Sequence, residues 1–341
     1  MLENHDSILR GLYNQLKQRD PMDLESLHKI CNLYEEYREA VSIASPEIYE
    51  SNSVVTGKAI SNICFDLMRH PNVISLSNSK SNLIKQGHLF FLGHRGGLCN
   101  RLRAIAALSA ASTVIGFKFS FTWVETDSCR GAPLPWKNYA NRLSPIIHEV
   151  ARSQRNVLLE DNPLTAWQVF DKFRDFGLIN SWPEFNEIYI QKSKQLLNLL
   201  LEKIDALIIL ENFEKDNKLK DYIAFHIRRT DFVPYFHEKY PDEKLPTLDD
   251  YILYAKKNCN SKNFFLSTDD FEVRSRFVNE FGNKVSFFDF EFDRSKLRQT
   301  SLKHSLLDLA MLSRGRELLL TPRSSFSDYA ASISHAKVVA F

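Results

Sequence analysis

At 341 residues the chain is long enough for two medium domains, and its apolar fraction of 44% and charged fraction of 25% are those of an ordinary globular protein. Its 44 Lys and Arg against 42 Asp and Glu leave a formal charge of +2, which is no electrostatic footprint for DNA or RNA, so no nucleic-acid partner is expected. No apolar run reaches the ~18 residues of a membrane span, residues 1–23 lack a signal-peptide core, and five scattered cysteines read as free thiols, so a cytoplasmic location is expected.

Residues 1–86 read as a helical appendage. Leu24, Leu27, Ile30, Cys31, Tyr34 and Tyr37 recur at three- and four-residue spacing, the stripe of an amphipathic helix. A second helical stretch runs from about Val55 to Met68 and is closed by His70-Pro71. Segment 75–82 has the composition of a linker. The appendage is expected to pack on the core or to form a homodimer through its helices.

At Leu89 the pattern changes, and a first Rossmann-like domain is expected over 87–215. Leu89 to Leu92 reads as a buried strand, Gly93 to Gly97 as a tight turn, and Leu98 to about Ile115 as an alanine-rich helix. A strand, a glycine turn and a helix N-terminus together make an anion site. Gly96, Gly97, Asn100 and Arg103 are therefore candidate ligand residues, with Asn100 and Arg103 expected to face the turn. The alternative is a glycine turn that only allows close helix packing. Neither GxGxxG nor a P-loop is present, and there is no CxxC or HExxH, so no dinucleotide fingerprint and no zinc site are expected.

Between 117 and 215 the signals are fewer. Residues 117–124 read as a strand, 126–139 as a loop carrying Pro133, Pro135 and Trp136, and 187–213 as a helix that bridges two domains. Trp136, Trp167 and Trp182 are candidates for stacking on a sugar ring, with core packing the default for each.

The C-terminal domain, 216–341, alternates strand and helix. Strands are expected at 222–227, 263–267, 284–288, 317–320 and 337–341, and helices at 247–258, 271–281, 302–313 and 325–334, which makes a parallel sheet with right-handed crossovers. Arg228, Arg229, Asp231, Asp269, Asp270, Arg323, Ser324 and Ser325 then fall just beyond the carboxyl ends of its strands, where such sheets bind ligands. Arginine forks match phosphate, hydroxyls at a helix start can hold one, and carboxylates can accept from a base or ribose. A surface arginine pair that caps its strand and binds Asp231 is the alternative reading. Asp308, by periodicity alone, reads as a solvated helix charge.

These segments also resemble a family. His226-Ile-Arg228-Arg229-Thr-Asp231, Leu266-Ser-Thr-Asp269-Asp270, Ser305-Leu-Leu-Asp308 and Leu319-Leu-Thr-Pro-Arg-Ser324-Ser325 stand in the order and spacing of the α1,6-fucosyltransferases, and more distantly of the rhizobial nodulation and protein O-fucosyltransferases. The turn Gly96-Gly97-Leu-Cys-Asn100-Arg101 looks like the same superfamily's N-terminal motif. The resemblance covers about 221–335 and, more loosely, 89–115. It implies an α/β, GT-B-like fold of two Rossmann-like domains facing a cleft, 87–215 on the acceptor side and 216–341 holding the nucleotide sugar, with L-fucose moved from GDP-fucose to a glycan hydroxyl by inversion and without a metal or other cofactor. It also implies that Arg228 binds the β-phosphate, that His226 and Asp308 contact guanosine, that Ser324 and Ser325 join the phosphate site, and that Asp231 orders the arginine loop. Phe232 and Phe236 stand where the family carries a lysine and, nearby, a glutamate base; His237 and Glu238 are the adjacent base candidates, with Glu238 taken together with Arg228 and Asp231 as the catalytic set. A protein hydroxyl as acceptor, or a non-catalytic nucleotide-sugar or glycan-binding protein, are the other readings. A metal-dependent transferase would need a DxD pair, which Asp269-Asp270 lacks; Asp289-Phe-Glu291-Phe-Asp293 has the spacing but alternates as an edge strand does.

Overall fold

The computed structural model describes residues 23–44, 60–78, 80, 84–85, 87–126, 128–129, 142–152, 157–259, 262–289 and 300–339, together with positions 11, 14, 15 and 18. The chain divides into two compact units, 1–193 and 194–341. Most of the expected Trp136 loop and of the 289–293 DxD stretch lie outside the described residues.

Unit 1 holds a parallel sheet of four strands, β1 (Val73–Ser75), β2 (His88–Phe91), β3 (Lys118–Phe121) and β4 (Val157–Glu160), in the order β1-β4-β2-β3. Its helices are α1 (Leu24–Ala44), α2 (Leu98–Ile115), α3 (Leu143–Arg152) and α4 (Ala166–Asp175). From β2 the chain runs through α2 to β3 on one side, then through α3 to β4 on the other, so the strand order reverses between β2 and β4. β4 is buried at all four positions, as a strand covered on both faces must be. It is an element the sequence reading missed.

Two expectations about domain limits change. The described helices before residue 86 pack on the core, the first of the two roles expected for them: Leu27, Ile30, Cys31 and Tyr34 of α1, with Ile60, Ile63, Cys64 and Leu67 of a helical run at 60–68, share one core with Phe90, Leu92, Ile146, Val157 and Leu159. The supposed linker begins with Ser75, the last residue of β1, which pairs with β4 at the sheet edge. The stripe on α1 is thus taken up inside its own unit. At the other limit, the helix expected at 187–213 is two helices, α5 (Trp182–Lys203) and α6 (Ala206–Asp216), broken at Asp205, whose φ of 52° is left-handed and cannot continue a helix. The division between units falls inside α5. Trp167 and Trp182 meet edge to face with centroids 4.7 Å apart, beside Phe170 and Phe185.

Unit 2 is a five-stranded parallel sheet, β5 (Ile223–Ile227), β6 (Phe264–Thr268), β7 (Val285–Ser286), β8 (Glu317–Leu319) and β9 (Lys337–Val339), in the order β7-β6-β5-β8-β9. Between the strands lie α7 (Phe232–Lys239), α8 (Leu248–Asn258), α9 (Phe271–Phe281), α10 (Leu302–Arg314) and α11 (Ser325–Ile333). Every strand and helix expected here is present, and α7 is added. Side-chain alternation sorts the two faces of the sheet. Ile223, Phe225, Ile227, Phe264 and Leu266 enter a core with Tyr251, Ile252, Val273 and Phe277 of α8 and α9. The intervening positions, including His226 and its register partner Ser267, take the opposite face. All five cysteines are buried free thiols, and no helix among the described residues is long and apolar enough to cross a membrane.

Candidate functional site

In unit 2 the strand order reverses at β5, with β6 on one side and β8 on the other, so the exits of these three strands form the edge where ligands sit in open α/β sheets. Arg228 leaves β5 directly. One terminal nitrogen of its guanidinium donates to both carboxylate oxygens of Asp231, each at 2.9 Å; its Nε lies 3.9 Å from Asp269 Oδ2, and its plane rests 5.1 Å from the centroid of Phe232. With 13% of the side chain exposed, the charge is largely desolvated. Two further bonds aim it. Thr321, at the exit of β8, accepts from the Arg228 N–H (2.9 Å) and donates to the carbonyl of His226 (2.9 Å), stitching the two strand exits together.

Asp269 and Asp270 do not offer themselves to a ligand as expected. The Asp269 carboxylate accepts from the Arg229 N–H (2.9 Å) and the Thr230 hydroxyl (2.5 Å), so it builds the arginine loop; burial, opposed by those bonds, pushes its pKa up. Asp270 is the N-cap of α9 and accepts from the Glu272 N–H at 2.8 Å. Arg323 is also engaged elsewhere: with φ at 62° it pairs with Glu243 at 2.7 and 3.1 Å and stands over Tyr240. Glu238 and His237 are exposed on the last turn of α7. Glu238 stands six positions after Phe232 on the helix, about 9 Å along the axis, so the structure does not bring Glu238 to Arg228.

Beneath the same edge lies a buried polar layer. His226 Nδ1 is 2.6 Å from Ser327 Oγ and its ring lies tilted against Phe326, centroids 4.9 Å apart. Burial, reinforced by Arg228, lowers its pKa to about 3, so the ring is neutral. Asp308 is not a solvated helix charge: it is 6% exposed, its Oδ2 accepts from Ser267 Oγ at 2.8 Å, and its Oδ1 has no hydrogen-bond partner. Burial raises its pKa to about 7. Ser324, fully buried at the start of α11, likewise leaves its hydroxyl without a partner, while Ser325 opens the first helical turn. Leaving a buried polar atom unpaired costs about 1–3 kcal/mol. The edge therefore presents a carboxylate oxygen that seeks a donor, a hydroxyl at a helix N-terminus and a held guanidinium. Ser267, Thr321 and Ser327, which hold the chemistry in place, escaped the sequence reading; the only available sign was a polar residue at a buried strand or helix position.

The remaining candidates, Gly96, Gly97, Asn100 and Arg103, belong to unit 1. Gly96 has φ of 75°, and a Cβ there would stand 2.9 Å from Asn100 Cβ, so Asn100 does pack on the turn. An arginine that enters the turn is Arg101. Fully buried, it donates from Nε to the Gly96 carbonyl (3.0 Å), from one terminal nitrogen to the Val124 carbonyl and from the other to Thr126 Oγ1 (2.8 Å).

No family model matches the chain, and no curated protein does. Among solved structures it is similar to NodZ α-1,6-fucosyltransferase soaked with GDP-fucose (14% identity, 73% of this chain and 93% of that one, TM-score 0.42). It is also similar to the fucosyltransferase NodZ from Bradyrhizobium (14%, 73% and 93%, TM-score 0.41) and to POFUT1 in complex with GDP (10%, 74% and 97%, TM-score 0.44). Likeness at these values does not carry the assignment of any residue, which rests on the geometry above.

Proposed function

We propose that the chain is an inverting, metal-independent glycosyltransferase that binds GDP-fucose on unit 2 and moves L-fucose to a hydroxyl of a glycan. The observation that carries this reading is the Asp308 carboxylate. It is buried at the edge that also holds Arg228, with one oxygen fixed by Ser267 and the other unpaired. Guanine presents two adjacent donors, N1–H and the 2-amino group, which a carboxylate accepts together; adenine presents a donor beside an acceptor and leaves one oxygen unpaired. A base on Asp308, with neutral His226 beside it, sets the diphosphate toward Arg228 and the Ser324-Ser325 helix start.

Arg228 then does the chemical work. When the bond between fucose C1 and the β-phosphate oxygen breaks, its electron pair stays on GDP, and negative charge grows where a guanidinium already stands. A donor fixed beforehand by Asp231, Phe232 and Thr321 stabilises that charge more than it stabilises the bound donor sugar. The acceptor oxygen attacks C1 from the opposite face, and its proton leaves to a base. Glu238, exposed at the far end of α7, is not assigned that part.

A second reading, a nucleotide-sugar binder without transfer, is favoured by Phe232 and Phe236, both buried apolar side chains where a lysine and a base were sought. GDP release from GDP-fucose, beside GDP-mannose and UDP-N-acetylglucosamine, tests both. Selective release that falls about 10²- to 10³-fold in Arg228→Ala supports transfer. Tight GDP-fucose binding with no release, even with glycans added, supports the binder, and no guanosine nucleotide binding at all removes both.

A further inference from the structure

One face of α7 carries three rings at four-residue spacing, Phe232, Phe236 and Tyr240, which meet in a row with centroids 5.9 and 5.4 Å apart. Phe232 and Phe236 are buried, and Tyr240 closes the helix, its N–H donating to the Phe236 carbonyl at 2.8 Å. An arginine lies over each end of the row: Arg228 stands 5.1 Å from the Phe232 centroid and Arg323 5.2 Å from that of Tyr240. The first arginine leaves β5 and the second follows β8, so the row links the same two strand exits that Thr321 joins. Arg323 needs that support. It is the third residue of the turn Thr321-Pro322-Arg323-Ser324, closed by the Ser324 N–H on the Thr321 carbonyl (3.4 Å), and its φ of 62° is one that glycine holds freely and a residue with a Cβ does not. Nε and a terminal nitrogen donate to the two carboxylate oxygens of Glu243, at 3.1 and 2.7 Å, with the Tyr240 ring against the guanidinium. A forked pair backed by an aromatic ring is the geometry in which a part-exposed ion pair holds its place. The next residue is Ser324, whose buried hydroxyl lacks a partner at the start of α11.

We propose that α7 is a positioning strut: its aromatic row, with the Arg323–Glu243 pair, holds the strained turn at a fixed distance from Arg228, so that Ser324 and the start of α11 meet a diphosphate that Arg228 also holds. The strut rests on the nucleotide site proposed above and adds to it residues that never touch the ligand. Phe232 and Phe236, which stand where a lysine and a base were sought, thereby have a part of their own. Selectivity is the consequence. Asp308 and His226 take the base whatever the number of phosphates. A monophosphate can settle on either end of the strut, whereas a diphosphate must meet both ends at once, so its binding depends on their spacing being set beforehand.

The test is titration calorimetry of GDP and of GMP on the full chain, native and variant. Glu243→Ala and Tyr240→Leu are each expected to weaken GDP about fivefold or more while GMP changes less than about twofold. Adding Arg323→Gly to the Glu243→Ala chain should recover most of the loss, because glycine holds the turn's φ without the pair. Glu243 is part-exposed, so its variant keeps the test valid if Tyr240→Leu unfolds. The inference is overturned if GDP and GMP weaken equally, the mark of a general loosening, or if neither single substitution moves the ratio of the two affinities. It is overturned as well if the double variant binds GDP more weakly than Glu243→Ala alone, since Arg323 would then be holding phosphate itself. A native chain that binds neither nucleotide sinks the proposed nucleotide site and the strut together; one that binds both, with a ratio no variant alters, sinks the strut alone.

Discussion

Asp308 shows how burial turns one carboxyl into a pH-dependent group. Its pKa rises from the ordinary 3.8 to about 7 because the charged form loses water, against the opposing bond from Ser267. A raised acid favours the folded chain below 3.8, and that contribution fades as pH rises through about 7. The thermal midpoint of Asp308→Asn, always neutral, should therefore climb relative to native as pH goes from 4 to 8. Nucleotide binding should run the other way, because guanine needs the carboxylate. Native GDP affinity should drop about tenfold per pH unit below 7, measured by calorimetry, while the Asn variant binds weakly with none of that additional dependence. The same desolvation governs Arg101, whose pKa it lowers. Its three hydrogen-bonded contacts keep it in place, and removing the partner of a buried charge costs about 3–5 kcal/mol. Letters alone marked Asn100, Arg101 and Arg103 as polar, but which one turns inward depends on where the helix axis lies.

Elements are placed here by a few backbone positions. Gly93 and Gly96 carry φ of 56° and 75°, and a Cβ at Gly93 would sit 2.4 Å from the Thr122 carbonyl oxygen, which belongs to backbone and cannot swing away. Gly93→Ala should cost about 2 kcal/mol or more of unfolding free energy, read as a lower urea midpoint at unchanged slope, and loosen the β2 exit. Unit 2 was legible strand by strand because its strands end in polar breaks and helices such as α8 carry a start signal, its reciprocal Thr247 and Asp250 cap, whereas α7, whose N-cap Asp231 makes no side-chain cap bond, was missed. Unit 1 was less so. β1 and β4 lie in stretches whose composition gave no strand signal, and at the start of unit 2 the break at Asp205 is a backbone conformation that no composition signals.

The whole chain joins parts that look separate when read in order. α1 and the 60–68 run bring Leu27, Ile30, Ile60, Ile63 and Leu67 into unit 1's core, each almost wholly buried. At about 1.5–3 kcal/mol per side chain that is on the order of 10 kcal/mol, as large as the stability of a typical domain. A chain that starts at residue 87 should lose unit 1's cooperative unfolding in calorimetry; a truncated protein that melts as the full chain does would return those residues to the standing of an appendage. What residue order dictates on its own is the local strands and helices of unit 2 and the polar letters at their ends, together with a small overall charge of +2. Those follow from periods of two and 3.6 and from capping, which act over a few residues. Only the tertiary structure decides that Asp269 builds a loop, that Asp308 turns into the interior, that Glu238 stays at the far end of α7 and that Arg323 meets Glu243, because each depends on what packs against it from tens of residues away.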